Sequence, residues 1–242
     1  MKCSICIATK DKCRRLVCVL GSIYSQLCDF DFEVVVVDDG STDDTPGLLK
    51  KYETTEGFRH IRIENNSYRN PSVARNAAYR EATGEIIIAQ SDDVVHATNA
   101  IPELCNRLHY GQFIIAQVVN VDFKTRGIIQ GYNPYTGTAN PRPFFFLGAL
   151  WREDLYAVGG NDEEFTAPGF EDDWFGDCLI QGRGLQPIFD DSIIGHHLHH
   201  SRPGNLADLV EPSKELYARK RQLASCGGGN WESSGGAWHY DT

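Results

Sequence analysis

The chain has 242 residues, of which 41% are hydrophobic and 23% charged, and its formal net charge is -10. This composition allows a sizeable buried core, and the acidic balance argues against nucleic acid or an anionic membrane surface as a partner, because both need clustered Lys and Arg. No run of about 18 apolar residues occurs, so we expect no integral membrane segment. The start, MKCSICIATKDK, meets charge too early for a signal peptide, and we expect a cytoplasmic protein whose eight cysteines are reduced.

The first elements in chain order form a βαβ unit. Residues 4–8 (SICIA) and 32–37 (FEVVVV) are apolar runs too continuous for a one-sided sheet, and residues 13–27 between them have apolar positions near the helical period. Cys3 and Cys6 make a C-x-x-C pattern, but positions three apart on a strand face opposite ways. We therefore interpret them as buried strand cysteines rather than as a zinc pair.

The alternation of strands and helices continues along the first half of the chain. The pattern predicts helices over 45–54 and 72–82 and strands over 60–64 and 85–90. Repeated βα units imply an α/β fold with a mostly parallel, doubly wound sheet. Ligands of such sheets bind beyond the carboxyl ends of the strands, so we expect the functional residues there.

Two of the predicted strands end in adjacent carboxylates. Asp38 and Asp39 follow the run VVVV, and Ser91, Asp92 and Asp93 follow EIIIAQ. Neighbouring carboxylates repel each other unless a cation lies near them, so the pairs suggest a divalent metal site or a nucleoside contact. The alternative for Asp38 and Asp39 is an Asx turn followed by a helix N-cap.

Phosphate binding at this edge would need something other than a glycine-rich loop. The chain contains neither GxxxxGK[S/T] nor a GxGxxG after its first strand. A hard metal bound by a carboxylate could share phosphate oxygens, and Arg75 of VARNAA is a candidate side-chain cation. An ordinary exposed helix position is an equally good interpretation of Arg75.

The motifs of the first half occur in a familiar order. SICIATKDK, SIYSQL, EVVVVDDGSTDDT and ARNAAYREATGEIIIAQSDD resemble the nucleotide-sugar half of a family 2 glycosyltransferase with the GT-A fold. The D-x-D motif of that family here has Ser91 in place of its first Asp, and the resemblance implies that Asp93, at its last position, binds the metal. It also implies five contacts to a UDP-sugar: Thr9, Asp38, Asp39, Arg75 and Asp92.

The stretch GFEDDWFGD in the second half gathers acidic and aromatic side chains. The surrounding residues 144–184 are similar to the region in which these enzymes, and especially the beta-1,4-galactosyltransferases, carry a GG turn and then an ED or EDD element. That similarity implies that Asp172 is the general base, that Glu171 and Asp173 flank it, and that Trp174 lies near the acceptor. The alternative is an acidic helix N-terminus whose aromatic side chains lie in the core.

Four histidines occupy five positions in IIGHHLHHSRP, and imidazole binds Mn and Zn well. By similarity to the beta-1,4-galactosyltransferases, His200 binds the metal and His197, three residues earlier, supplies a second ligand. With Asp93 they would hold Mn²⁺, or alternatively Mg²⁺. A solvated histidine run or a separate zinc site is the alternative. The remaining two histidines are expected to orient neighbours or face solvent: His196 and His199.

The resemblance also sets the expected domain organisation. We expect one domain over 1–224, with a nucleotide-sugar half (1–95) and an acceptor and metal half (96–224), followed by a mobile Gly/Ser-rich tail (225–242). The alternative is that Trp231 and Trp238 of this tail dock on the body of the protein or on a partner.

Two segments of the second half have their own expectations. A helix over 206–224 should be interrupted by Pro212. The Gly-, Pro- and Tyr-rich residues 124–143 should form a loop, either folded over the donor or on the plain surface.

These residues and the resemblance together predict a metal-dependent inverting glycosyltransferase. It would move galactose, N-acetylgalactosamine or glucose from a UDP-sugar to a hydroxyl of a glycan, lipid-linked or protein acceptor. A sugar-phosphate nucleotidylyltransferase is a rival, but IATKDKCRR lacks the glycines of its expected loop. A catalytically silent nucleotide-sugar or glycan-binding module is the second rival, because Ser91 could mark lost activity.

Overall fold

The computed structural model describes residues 3–64, 70–129, 134–201 and 204–239. Its strands are β1 (Cys3–Thr9), β2 (Phe32–Asp39), β3 (Phe58–Ile63), β4 (Ile86–Ser91), β5 (Val94–His96), β6 (Gln112–Val121), β7 (Leu147–Trp151) and β8 (Gln186–Leu198). Its helices are α1 (Cys13–Tyr24), α2 (Thr45–Tyr52), α3 (Ser72–Glu81), α4 (Ala100–Arg107), α5 (Arg152–Ala157), α6 (Glu171–Asp177), continued by a π-helical turn (Cys178–Gly182), and α7 (Leu206–Ser225). The strands form one sheet in the order β3-β2-β1-β4-β7-β6-β8-β5.

The centre of the sheet is buried on both faces, as its continuous Val and Ile runs predict. One apolar cluster packs side chains of α1, α2 and α4 against one face, and a second packs α3, α5 and α6 against the other. Cys3 belongs to the first cluster and Cys6 to the second. The two thiols therefore lie on opposite faces of β1 and do not form a zinc pair.

The predicted parallel arrangement is confirmed for the first four strands. β1 pairs parallel with both β2 and β4, and β2 pairs parallel with β3. Thr9 lies opposite Asp38, and Ala8 lies opposite Ser91. The two acidic strand ends consequently meet at one edge of the sheet, on either side of the end of β1.

The second half of the sheet is of mixed direction. β7 runs antiparallel to β4 and β6, whereas β8 runs parallel to β6 and antiparallel to the short β5. The β5–β8 register places Val94 opposite His197. Because Val94 directly follows the acidic turn after β4, this pairing brings the histidine stretch to the acidic edge.

Helix α7 continues through Pro212 instead of breaking there. Proline lacks the N–H that would bond the carbonyl one turn earlier, but its fixed φ is compatible with a helix. Across the described part of the chain, no helix combines the length and the apolar character needed to cross a bilayer.

The described part of the C-terminal segment, residues 226–239, packs on the body of the protein, which follows the alternative for Trp231 and Trp238 and not the expected mobile tail. Trp231 stacks on Trp174 with ring centroids 5.6 Å apart. The Trp238 N–H donates to the Tyr156 carbonyl oxygen at 2.8 Å. Gly159 has φ +74, and a Cβ there would collide with the Gly236 carbonyl oxygen. Aromatic stacking and backbone bonds, which composition does not reveal, hold this segment.

Candidate active site

The carboxyl ends of β1, β2 and β4 border a cleft of about 310 Å³. This is where a doubly wound sheet binds its ligands. Several of the residues that line it are candidate site residues from the sequence. The lining residues are Ala8, Thr9, Lys10, Lys12, Asp39, Asn70, Pro71, Ala74, Arg75, Gln90, Ser91, Asp92 and Asp93.

Asp93 and two histidines converge at one end of this cleft. The Asp93 Oδ2 atom lies 3.5 Å from His197 Nε2 and 3.3 Å from His200 Nε2. Ligand atoms of the three residues all lie within 4.8 Å of one another, and no other such group occurs among the described residues. The three residues predicted to bind a metal are thus brought together.

Hydrogen bonds on the far side of both imidazoles prepare them to be ligands. His197 Nδ1 lies 2.9 Å from Asn120 Oδ1, and His200 Nδ1 lies 3.0 Å from the Ser201 carbonyl oxygen. Because both oxygens are acceptors, each Nδ1 can donate its proton to them, and Nε2 is then the ring atom that faces Asp93 and would bind a metal ion. Outer-shell partners of this kind fix the tautomer and orientation of metal-binding histidines. One carboxylate and two such imidazoles therefore fit a divalent transition metal.

Lys12 belongs to the same cluster, although the sequence analysis did not select it. Its Nζ lies 3.2 Å from Asp93 Oδ2 and 3.4 Å from His200 Nε2. The preceding residue, Asp11, has φ 52, and its Oδ1 accepts the backbone N–H of Thr42 at 2.6 Å. This left-handed residue ties the loop after β1 to the loop after β2. The fixed loop holds Lys12 at the acidic edge.

The two carboxyls of the second acidic strand end differ in pKa. Burial raises the pKa of Asp92 to about 6, and the charge of Asp93 beside it acts in the same direction. Burial alone would also raise the pKa of Asp93, but its hydrogen bonds to His197 and His200 hold it well below the ordinary value. Ser91, at the altered D-x-D position, donates its hydroxyl to Asp93 Oδ1 at 2.9 Å.

The two carboxylates after β2 have different positions: one stabilises a turn and the other lines the cleft. Asp38 Oδ1 accepts the Ser41 backbone N–H at 2.8 Å, and Asp38 Oδ2 lies 2.6 Å from Arg62 Nη1. Asp38 thus makes the Asx-type turn that the sequence offered as an alternative. Asp39 lines the cleft together with Thr9. Arg62 is a partner that the sequence analysis missed.

The acidic helix α6 approaches the cleft through Arg75 of α3. Arg75 Nη1 donates to Asp172 Oδ1 at 2.6 Å, and it lies 4.0 Å from Glu171 Oε1. The side chains of Arg75 and Asp172 are 14% and 12% exposed. Burial disfavours the charge of Arg75, but its neighbours, Asp172 first among them, together outweigh this effect and raise the Arg75 pKa. Burial, followed by the charge of Asp172, raises the pKa of Glu171 to about 7.

The two residues after Asp172 lie elsewhere. Both carboxyl oxygens of Asp173 lie 3.0 Å from Arg142 Nη2. The Trp174 ring is 2% exposed and packs in the core between the sheet and Trp231. Trp174 consequently offers no open ring face to an acceptor sugar, and this position follows the core alternative.

The segment 124–143 packs beside the histidine cluster as far as it is described. The Tyr135 ring contacts the His197 ring edge-on, with centroids 4.7 Å apart, and Thr136 Oγ1 donates to the Ala116 carbonyl oxygen. Residues 130–133 of this segment, like Arg202 and Pro203 after the histidines, lie outside the described residues. The remaining two histidines are half-buried: His196 and His199.

Residues 4–161 match the sequence profile of glycosyl transferase family 2, which covers more than half of the chain. The chain belongs to this family. Among curated family members, it is 35% identical over 101 residues to the glycosyltransferase YfnE of Bacillus subtilis (strain 168), covering 42% of this chain and 25% of YfnE. It is 36% identical over 100 residues to the poly(ribitol-phosphate) beta-N-acetylglucosaminyltransferase TarS of Staphylococcus aureus (strain Mu50), covering 40% of this chain and 17% of TarS. The chain thus matches at most about a quarter of the length of these two relatives.

Solved glycosyltransferases share the fold of this family 2 chain. S. aureus TarS 1–349 in complex with UDP-GlcNAc superposes with a TM-score of 0.65 at 21% identity, over 93% of this chain and 66% of that one. GalNAc-T7 with UDP, GalNAc and Mn²⁺ superposes with a TM-score of 0.69 at 17% identity, over 93% of this chain and 51% of GalNAc-T7. A mannosyltransferase of Pyrobaculum calidifontis with GDP-Man and Mn²⁺ superposes with a TM-score of 0.63 at 21% identity, over 93% of this chain and 64% of that one. The predicted GT-A architecture is confirmed.

Proposed function

We propose that this family 2 chain is a metal-dependent inverting glycosyltransferase that uses a UDP-sugar. The observation that carries the proposal is a cleft lined both by Asp93, which belongs to the metal-type donor set, and by Arg75, which donates to Asp172. Such a reaction needs a cation for the leaving diphosphate and a carboxylate for the acceptor hydroxyl on opposite sides of the sugar carbon. The residues that line the cleft and the side chains that contact them provide candidates for both roles.

Asp93, His197 and His200 would hold the metal, and we propose Mn²⁺, with Mg²⁺ as the alternative. Imidazole ligands favour Mn²⁺ over Mg²⁺, which prefers oxygen. When bound, the ion supplies charge neutralisation to the diphosphate leaving group. The mannosyltransferase and GalNAc-T7 structures similar to this chain were obtained with Mn²⁺, which supports this choice.

Residues of the chain would perform the remaining steps. Asp39, Thr9 and Asp92 line the cleft and would contact the nucleoside, and Lys12 and Arg75, which also line it, would provide cations to the diphosphate. Asp172 would take the proton from the acceptor hydroxyl as that oxygen attacks the sugar carbon in line with the departing UDP. Asp38 would act indirectly, because it holds the turn that precedes α2.

The resemblance of the second half suggests which sugar is transferred. The second half resembles the beta-1,4-galactosyltransferases in its EDD element and its histidines, which favours galactose or N-acetylgalactosamine, with glucose next. The acceptor would be a hydroxyl of a glycan, a lipid-linked sugar or a protein, encountered in the cytoplasm. Asp173 is the remaining candidate for an acceptor contact on α6, because its Arg142 partner is 48% exposed.

The test is to measure UDP release from a panel of UDP-sugars with Mn²⁺, with Mg²⁺ or with a chelator, first without and then with simple sugar acceptors. Release from one donor that requires the metal and is lost in Asp93→Asn would support the proposal. If the wild-type protein binds no UDP at any metal concentration, the proposal is wrong.

A nucleotide-sugar-binding module without activity is the second candidate. Ser91 favours it, because a hydroxyl replaces the first carboxylate of the D-x-D motif and bonds to Asp93. Metal-dependent UDP binding without turnover on any donor or acceptor would select this candidate. Measurable UDP release by the wild type, lost in Asp172→Asn, would eliminate it.

A further inference from the structure

The presumed base of this site is bound to a cation of the donor cleft. Arg75 lines the cleft, while its guanidinium also donates to Asp172 at 2.6 Å. Both side chains are largely buried, so water competes little for either group. The donor side and the acceptor side of the site therefore share one arginine.

This sharing has a chemical cost for Asp172. A carboxylate that accepts a charge-assisted hydrogen bond from a guanidinium has one oxygen engaged and its negative charge compensated, which weakens it as a base. Glu171 lies 4.0 Å from the same guanidinium and is a second carboxylate that interacts with Arg75. An anionic group that enters the cleft would compete with these carboxylates for the one cation.

We propose that the diphosphate of the donor draws Arg75 away from Asp172 and thereby frees this carboxylate to act as the base. The inference rests on the proposed function, and it makes the competence of Asp172 as a base depend on the bound diphosphate. Arg75 is then a positioning residue for Asp172 as well as a donor contact. Without a donor, the pair is self-neutralised.

The chemical step itself balances in the usual way for an inverting transfer. The freed Asp172 carboxylate accepts the acceptor hydroxyl proton while the acceptor oxygen forms its bond to the sugar carbon. The bond between that carbon and the phosphate oxygen breaks, and its electron pair leaves with UDP. Arg75, turned toward the diphosphate, would then stabilise the charge that develops there.

The key experiment is to titrate UDP into the metal-loaded protein by calorimetry, comparing the wild type with Asp172→Asn. The amide removes the competing charge from Arg75 while it keeps the side-chain shape, so UDP should bind more tightly. A coupling of the usual size between two sites is about 5–150-fold, and we expect a gain of at least the lower value. Uridine, which lacks the diphosphate, should show no gain.

A matched control comes from another buried aspartate–arginine pair. Asp154 of α5 lies 2.9 Å from Arg183 Nη2 and is 4% exposed, and neither residue lines the cleft. Asp154→Asn should therefore leave UDP affinity unchanged. In an Arg75→Ala background, the gain from Asp172→Asn should disappear, because the shared cation is absent.

The possible outcomes separate the two proposals. If the wild type does not bind UDP, the proposed function fails. If the wild type binds UDP but Asp172→Asn binds it equally or more weakly, or the gain persists without Arg75, the shared arginine is ruled out. Should Asp172→Asn not fold, arginine-labelled wild-type protein provides the test: the Arg75 side-chain resonance should shift with UDP and not with uridine, and an unchanged resonance would overturn the inference.

Discussion

Two pairs of adjacent carboxylates in the site, Asp92–Asp93 and Glu171–Asp172, repeat one electrostatic pattern. In each pair, one member contacts cationic or cation-forming groups and the other has a raised pKa. Asp93 contacts Lys12 and two histidines, while the pKa of Asp92 is about 6. Asp172 contacts Arg75, while the pKa of Glu171 is about 7. Burial is the main cause of both raised values.

The difference lies in the chemistry of the partners. The partners of Asp93 include two imidazoles whose Nε2 lone pairs can bind a metal ion. The partner of Asp172 is a guanidinium, which stays charged and has no lone pair to offer a metal. The same local motif of adjacent acids therefore provides an exchangeable cation site at one position and a fixed-charge pair at the other. The partners, which come from distant parts of the chain, decide which one forms.

The largest expected effect concerns the fixed-charge pair. Asp172→Asn should lower turnover by about 10²–10⁴-fold, because the amide cannot accept the acceptor proton. Steady-state assay of UDP release measures this loss. Asp177→Asn is the matched control on the same helix, where the carboxylate contacts Tyr217 instead of Arg75. Full turnover in Asp172→Asn would show that another group is the base.

The exchangeable site should respond to the loss of a ligand. His197→Ala should weaken Mn²⁺ binding by more than the roughly 10–100-fold that is typical for the loss of an outer-shell group. Its control, His196→Ala, changes the preceding residue of β8, which belongs to no described metal-type cluster. Equal Mn²⁺ affinities in the two variants, measured by calorimetry, would remove His197 from the site.

A smaller effect is expected for a residue that contacts a metal ligand but not the metal itself. Asn120→Ala removes the acceptor that fixes the His197 tautomer, and it should weaken Mn²⁺ binding by about 10–100-fold without changing metal-free folding. Asn99→Ala, at an exposed position whose amide bonds the Leu27 carbonyl, provides the comparison. An unaltered Mn²⁺ titration in Asn120→Ala would mean that His197 does not need this partner.

The smallest expected effect concerns Glu171, the member of the second carboxylate pair whose pKa is raised. The pKa of Glu171 is about 7 in the folded protein, above its ordinary value of 4.5, so the folded state holds this proton more tightly. Stability should therefore fall as the pH rises from 4.5 through 7. Glu171→Gln abolishes this loss, and its melting temperature relative to the wild type should increase between pH 5 and pH 8, by the equivalent of on the order of 1 kcal/mol.

Glu33 supplies the contrasting case for that experiment. Its pKa is held at about 2, because hydrogen bonds from Ser4 and Thr83 and the charge of Arg59 outweigh the effect of burial. The stability that Glu33 contributes is present above about pH 4.5 and is lost only as the pH falls toward 2. Glu33→Gln should then cost the same at pH 5 and pH 8. A Glu171→Gln difference that is equally flat would contradict the raised pKa.

The sequence predicted those parts of the molecule that follow from local pattern. Strand ends placed Asp38, Asp39, Asp92 and Asp93 at one edge, because a doubly wound sheet brings strand ends together. The family resemblance, and not local pattern, selected Asp172, His197 and His200. Lys12 and Asn120 were missed because their roles depend on distant pairing. A lysine three residues after β1 and a polar residue inside the apolar run QVVNV were the available signals. Trp174 was placed near the acceptor by the resemblance alone, because the sequence does not distinguish an aromatic ring in the core from one in a binding site.

The C-terminal segment, residues 226–239, has a consequence for biosynthesis. Translation proceeds from the N-terminus at roughly 5–20 residues per second, so Trp174 leaves the ribosome before Trp231, the residue that covers it. The turn at Gly159 and Gly160 likewise stays open until Gly236 and Trp238 arrive. During this interval the nascent chain exposes an apolar surface next to the helix that carries Asp172. Completion of the core, and protection of this surface from chaperones and proteases, depends on residues that are synthesised late.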